Sequence, residues 1–301
     1  MEITNPIFIV GAARSGTKML GKTFSLHPEV SYIAESNYIW RIGNASYPND
    51  VLPLEILDEK IKREIREKFA SKIEEGKNIF VEKTAASSLR LPYILEIFPD
   101  ARFIHIARDG RDVALSAKKK WQGNLSEFEK GTLNYSSQNK NILNRIKTRL
   151  LSGDINLKEL HNYFFKALNM IKTHLGISKS SVWGPVIPGI KELYNKQTLI
   201  EVCAYQWFFS VYSVLSFHEN NFAVPYHFVR YEDLTKNKEL ELEKIFSFCN
   251  LKKPNNWQEI INSIKGGNSN KWKEQLTTEE INKVQNITAL LLDKLDYKLY
   301  E

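Results

Sequence analysis

The 301-residue sequence predicts an α/β fold built on a parallel sheet. Three observations carry this. Short apolar runs bounded by breakers alternate with helical patterns. A loop of small residues, closed by glycines, joins the first such run to the first helix. No internal repeat with a period of about 20–50 residues replaces that order.

The elements follow in turn. Ile7 to Val10 is a continuous apolar run between Pro6 and Gly11, the pattern of a strand buried on both faces. Gly11 to Gly16 is a loop, and Thr17 to Leu26 is helical until Pro28 stops it. Leu54, Leu57, Ile61, Ile65, Phe69 and Ile73 recur at helical spacing and predict one amphipathic helix over 54–75. Strands are predicted at 78–82 and 101–107. Each precedes a helix, the first at 88–98, ending at Pro99, the second from about 110 to 120. Residues 121–197 are polar, rich in Asn and Lys, and read as mostly helical or irregular. The alternation resumes with a helix at 198–220, a strand at 225–229, and helices at 238–249 and 277–293. The expectation is one domain, 1–301, with a mainly helical insertion at about 121–197.

Composition fits a globular chain, with 43% hydrophobic and 26% charged residues. It excludes disordered, collagen-like and coiled-coil classes. The net charge of +7 suits an anionic ligand without choosing among nucleotide, nucleic acid and membrane surface. Cys203 and Cys249 are the only cysteines, which makes neither a disulfide framework nor a zinc site. Residues 203–217 form the longest apolar-rich stretch, too short to span a bilayer and interrupted by Gln206 and serines. No signal peptide is legible at the start. A soluble, cytoplasmic protein without a transmembrane segment is expected; its oligomeric state is not legible.

The first loop reads GAARSGTK over residues 11–18, after a strand and before a helix. Backbone amides and the helix dipole there form an anion cradle, and the glycines permit close approach. A Walker A loop is GxxxxGK[ST]; here Thr17 follows Gly16 and Lys18 comes one place late, with no hydroxyl residue after it for Mg²⁺. The loop therefore reads as phosphate-binding but ill-matched to ATP, or else as an ordinary strand–helix turn. Arg108 follows the 101–107 strand directly, at the carboxyl end where open α/β sheets bind ligands, and Ser116 lies two helical turns on. A guanidinium and a hydroxyl suit a second phosphate. Pairing of Arg108 with Asp109 or Asp112 is the competing reading.

Together these two segments resemble the PAPS-dependent sulfotransferase family. Arg14, Ser15, Gly16 and Thr17 resemble its 5′-phosphosulfate loop, and Arg108, Asp109, Gly110, Arg111 and Ser116 resemble its 3′-phosphate motif. The RYEDL run at 230–234 and Lys271-Trp272-Lys273, similar to the family's loop over the nucleotide, also fit. The resemblance implies a P-loop NTPase-like, three-layer α/β domain around a parallel sheet of about five strands. It implies PAPS (3′-phosphoadenosine 5′-phosphosulfate) as co-substrate, 3′,5′-ADP as product, and no metal requirement. It places Arg14, Ser15, Gly16, Thr17 and Lys18 on the phosphosulfate, and Arg108, Ser116 and Lys271 on the 3′-phosphate. Trp272 either stacks on adenine or packs in the core.

Some members use a His as base in a Lys-Thr-His segment. This chain has Lys83, Thr84 and then Ala85, so that base is absent. Others, such as the tyrosylprotein sulfotransferases, use a Glu after Arg-Ser-Gly-Thr and His-Pro-x-Val. Here His27, Pro28, Glu29 and Val30 lead to Glu35, which the resemblance implies as general base; a surface or helix-capping carboxylate near Ser36 is the alternative. Lys83 is implied as the charge stabiliser at the leaving oxygen, or is an exposed strand-end lysine. Arg14 joins these two as a catalytic candidate. His105 is expected in the core and His27 in a turn. The acceptor is not legible: a small metabolite or natural product bearing a hydroxyl or amine leads, then a carbohydrate or glycolipid, then a protein tyrosine, with the 121–197 segment as its expected contact. No nucleic-acid partner is expected. A P-loop nucleotide kinase or NTPase, or a non-catalytic nucleotide-binding protein, are the alternatives.

Overall fold

The computed structural model describes residues 3–129 and 182–300. The chain divides into two compact units, one of residues 1–43, 47–118 and 184–301, the other of 44–46 and 119–183. The first unit holds the sheet. Of the insertion expected at 121–197, residues 130–181 lie outside the described residues.

Five strands, β1 (Ile7–Val10), β2 (Val30–Ala34), β3 (Ile79–Lys83), β4 (Arg102–Ala107) and β5 (Tyr226–Arg230), pair in the order β2-β3-β1-β4-β5. Every pairing is parallel. The chain runs from β1 outward on one side to β2 and back to β3, then crosses to β4 on the other side. The carboxyl end of β1 is thus the topological switch point, where open α/β sheets form their ligand crevice.

The alternation of side chains along β1 explains the layering. Ile7 and Ile9 face one apolar cluster, with Leu20, Phe24, Leu242, Ile245 and Phe246. Phe8 and Val10 face the other, with Ile65, Phe69, Ile94, Val214 and Phe217. Helices α1 (Thr17–Phe24) and α9 (Lys238–Phe248) supply the first cover; α3 (Glu59–Ala70), α4 (Leu91–Ile97) and α7 (Leu199–Asn220) supply the second. Both faces are covered, as an all-parallel sheet requires. Phe8 sits among Trp40, Phe80, Phe98 and Phe103 at ring separations of 5.6–6.2 Å.

The remaining described helices are α2 (Asn37–Trp40), α5 (Gly110–Glu129), α6 (Ile190–Lys196), α8 (Tyr231–Lys236), α10 (Trp257–Ser263), α11 (Trp272–Gln275) and α12 (Thr278–Lys294). By length and composition α7 could cross a membrane. Here Val202, Trp207, Val211 and Val214 are buried, and α7 packs on α12.

Two expectations need correction. β2, VSYIA, was absent from the strand pattern, because Ser31 breaks its apolar run and the strand is an edge whose last residues are partly exposed. The single helix over 54–75 is a 3-10 turn at Leu54–Ile56 followed by α3 from Glu59. Asp58 interrupts the period: its carboxylate accepts the Ile61 N–H at 2.7 Å and starts the helix there.

Candidate active site

All four loops that matter leave the carboxyl edge of the sheet. After β1 the chain turns sharply, with Ser15 N–H on Ala12 O at 3.1 Å. Gly11 has φ +150° and lies against the β4 backbone, so a Cβ there would stand 2.3 Å from Ile106 O. Gly16 has φ +101°, and a Cβ would strike the Tyr231 ring at 2.7 Å. Both positions need glycine, and the loop is consequently pressed onto β4 and α8. Helix α1 then opens with no capping side chain and no acidic residue in its first turn. Its first amides and positive dipole end face outward from the crevice floor. The Ser15 hydroxyl is buried without a partner among the described residues. A buried donor left without a partner is costly.

The loops after β1 and β4 supply one guanidinium group each. Arg14, itself at φ 77°, donates from Nε to Ser116 Oγ at 3.1 Å. Arg108 donates from Nη1 to Arg14 O at 3.1 Å and from Nη2 to Asn268 O. Its Nε is buried and unpartnered among the described residues, and its guanidinium lies 5.0 Å over the Tyr231 ring. Partial desolvation and the neighbouring Arg108 charge hold the Arg14 guanidinium below its usual value. Asp112 balances Arg108 at 3.7 Å, whereas Asp109 is engaged by Arg111 at 2.8 Å. Of the two carboxylates weighed as partners of Arg108, the structure selects Asp112.

Asp112 also accepts the amides of Asn270 at 2.7 Å and Trp272 at 3.1 Å. It thereby fastens the 268–272 segment beside Arg108. Lys271 Nζ donates to Asn268 Oδ1 at 2.8 Å within that segment. Trp272 is only 2% exposed; Arg111 lies 3.9 Å from its ring centre and Tyr300 meets it edge-on. Of the two roles left open for Trp272, this packing is the core one. Thr17 is buried in the first turn of α1, and Lys18 beside it is exposed.

The other pair comes from β2 and β3. Their register sets Ala34 opposite Lys83, which brings the next residue, Glu35, to the end of β3. Lys83 Nζ contacts Glu35 Oε1 as an ion pair. The lysine side chain is 3% exposed and the glutamate 64%, so the cation is held inside and the carboxylate reaches out. Lys83 is not an exposed strand-end lysine, and Glu35 is not a helix cap. Glu35 has φ 52°, and its amide donates to Lys83 O at 2.9 Å.

Glu82, buried between Ser36 and Thr84, carried no sequence signal; Asp112 entered only as one of two possible partners of Arg108, and Tyr231, beneath Arg108, only as part of the RYEDL run. Each acts through tertiary contacts from distant segments. His105 and His27 are both engaged in structural contacts. His105 is buried on β4 with Nδ1 2.8 Å from Tyr226 Oη, and burial, aided by His218, lowers it to about 3. His27 closes its turn through Lys252 O at 3.0 Å and the Glu29 amide at 3.2 Å.

Comparison with known proteins matches this geometry to one family. The sulfotransferase family model matches residues 6–152. No curated protein sequence matches the chain. Among solved structures, the sulfotransferase domain from the curacin biosynthetic pathway superposes with a TM-score of 0.54 at 16% identity, both chains covered in full. The sulfotransferase domain of the Synechococcus PCC 7002 olefin synthase gives 0.53 at 15%, covering 100% of this chain and 98% of that one. Sulfotransferase STF9 from Mycobacterium avium gives 0.53 at 12%, covering 99% and 79%. At these identities the structural likeness is one of fold. The sulfotransferase family model thus spans β1, β2, β3, β4 and the loops they carry, just under half of the chain, and the whole chain shares the fold of solved sulfotransferases.

Proposed function

We propose that this protein moves the sulfuryl group of PAPS to a hydroxyl or amine of a small acceptor and releases 3′,5′-ADP. The observation that carries the reading is the gathering, at one sheet edge, of two adjacent anion-seeking groups and a carboxylate–lysine pair. The residues present fit such a nucleotide. An uncapped α1 start, the orphaned Ser15 hydroxyl and Arg14 suit the phosphosulfate; Arg108, with its unpartnered Nε, and Ser116 suit the 3′-phosphate. Lys271 is close enough along the chain to Asn268, which Arg108 holds, to add charge at that end.

The co-substrate supplies an activated sulfuryl group with a phosphate leaving group. The protein's part is positioning and electrostatics, as in phosphoryl transfer. Glu35 accepts the acceptor's proton at a carboxylate oxygen. Lys83, a buried cation, offsets charge that grows on the leaving oxygen, and it acts in a site where little water screens it. Arg14 adds positive charge on the transferred group. The exposed carboxylate of Glu35 leaves room for an acceptor to approach, which suits a small metabolite or natural product first and a sugar hydroxyl second.

The test is thermal stabilisation by 3′,5′-ADP against ADP with Mg²⁺. A ligand at about 100 times its Kd stabilises by about 2.7 kcal/mol. We expect this from 3′,5′-ADP alone. Stabilisation by ADP with Mg²⁺ alone would replace this reading with a kinase-like one.

A further inference from the structure

Behind the Glu35–Lys83 pair lies a carboxylate that the chemistry above does not use. Glu82, the residue before Lys83, is fully buried. Its Oε1 accepts the hydroxyls of Ser36 and Thr84, each at 2.5 Å, and the Trp40 indole N–H at 3.4 Å. Its Oε2 accepts from Ser87 Oγ at 3.4 Å. Burial raises this carboxyl; the bonds from Ser36, Thr84 and Trp40 and the charge of Arg90 oppose that.

The two hydroxyls do more than satisfy Glu82. Each has one hydrogen, and each gives it to the carboxylate. That frees the Thr84 oxygen to accept the Ser36 amide, at 2.9 Å. Glu35 stands just before Ser36 in a left-handed conformation that is strained for a residue with a Cβ. Two successive amides hold it there: Glu35 N–H on Lys83 O, and Ser36 N–H on Thr84 Oγ1. Strained backbone of this kind persists only where the surroundings over-determine it.

We propose that Glu82 is a positioning residue: through the hydroxyls of Ser36 and Thr84 it locks Glu35 in the left-handed turn that sets the Glu35 carboxylate on Lys83. The functional side of this rests on the reading of Glu35 as general base. Displacing a catalytic group by an ångström costs on the order of 100-fold in rate.

Thr84→Val keeps the shape and removes the hydroxyl. It is expected to lower kcat about 10- to 100-fold while leaving the KM for PAPS and the affinity for 3′,5′-ADP unchanged. Thr84→Ser, which restores the hydroxyl, recovers most of that loss. Glu82→Gln keeps the volume, removes the charge that orients both hydroxyls, and is expected to act in the same direction. Combined with Glu35→Gln, neither substitution lowers turnover further; losses that multiply instead would overturn the proposal. A crystal structure of either variant supplies an arm that needs no substrate. The Glu35 turn should relax and its contact with Lys83 open; an unchanged turn in both would also overturn the proposal. If the wild-type protein transfers no sulfuryl group, the functional reading falls, and the crystallographic arm still decides the clamp.

Discussion

The two sides of the candidate site are built on opposite electrostatic plans. On the β1–β4 side, two guanidinium groups of like charge stand together, with a buried hydroxyl and a guanidinium nitrogen unpartnered among the described residues. On the β2–β3 side, opposite charges are already joined, and the hydroxyls of Ser36 and Thr84 both donate to Glu82. A like-charge cluster is tolerable beside a multiply charged ligand, so the first side has the character of a binding site for one. The second side is complete before any ligand arrives, so its character is preorganisation. On the proposed function, binding and chemistry are therefore expected to be separable by mutation.

The sharpest way to break that separation is at Glu35. Glu35→Gln is expected to lower transfer about 100- to 10,000-fold, the usual worth of a general base. Affinity for 3′,5′-ADP, measured by calorimetry, should not move. A variant that loses nucleotide affinity as well would merge the two sides.

Next in size is Arg108. Arg108→Ala removes charge-assisted hydrogen bonds worth about 1.5–3 kcal/mol, or roughly 10- to 100-fold in Kd for 3′,5′-ADP. Affinity for ADP, which lacks the 3′-phosphate, should change far less. Equal losses for both nucleotides would remove Arg108 from the 3′-phosphate.

A smaller effect separates the strands beneath the two sides by pH. His105 on β4 is lowered from 6.5 to about 3, so the unfolded chain takes up its proton first as pH falls. Stability from this group is complete above about 6.5 and declines toward 3, by at most about 1.4 kcal/mol per pH unit. Glu82 on β3 is raised from 4.5, which has the opposite sign: stability declines as pH rises from 4.5 through its folded value. In unfolding scans, His105→Gln should flatten the acid limb, and Glu82→Gln should remove the part of the decline that begins as pH rises above 4.5. An unchanged acid limb in His105→Gln would assign acid sensitivity to other groups.

The smallest expected change is at Lys271, whose amine bonds an exposed-side amide oxygen of its own segment. Lys271→Ala should weaken 3′,5′-ADP binding only about two- to fivefold, within the range of exposed ion pairs. Raising salt should shrink the difference further.

The sequence by itself determined the sheet's interior and the binding side. The continuous apolar run at Ile7–Val10 and the largely apolar Arg102–Ala107 report buried strands, and the GAARSG loop and Arg108 adjoin them, so local pattern reaches them. The base side was reachable only through resemblance, because β2 is a short edge strand whose pattern Ser31 interrupts. Tertiary structure decided the rest. The β2–β3 register, not any motif, carries Glu35 to Lys83 across 48 residues of sequence. Trp272 sits in the core because Arg111 and Tyr300, from distant segments, take its ring. Glu82 has a role because its neighbours in space are Ser36, Trp40 and Ser87, which no spacing in the chain announces. Local pattern reports what a segment buries; which buried groups meet depends on strand register and packing, and those exist only in the folded chain.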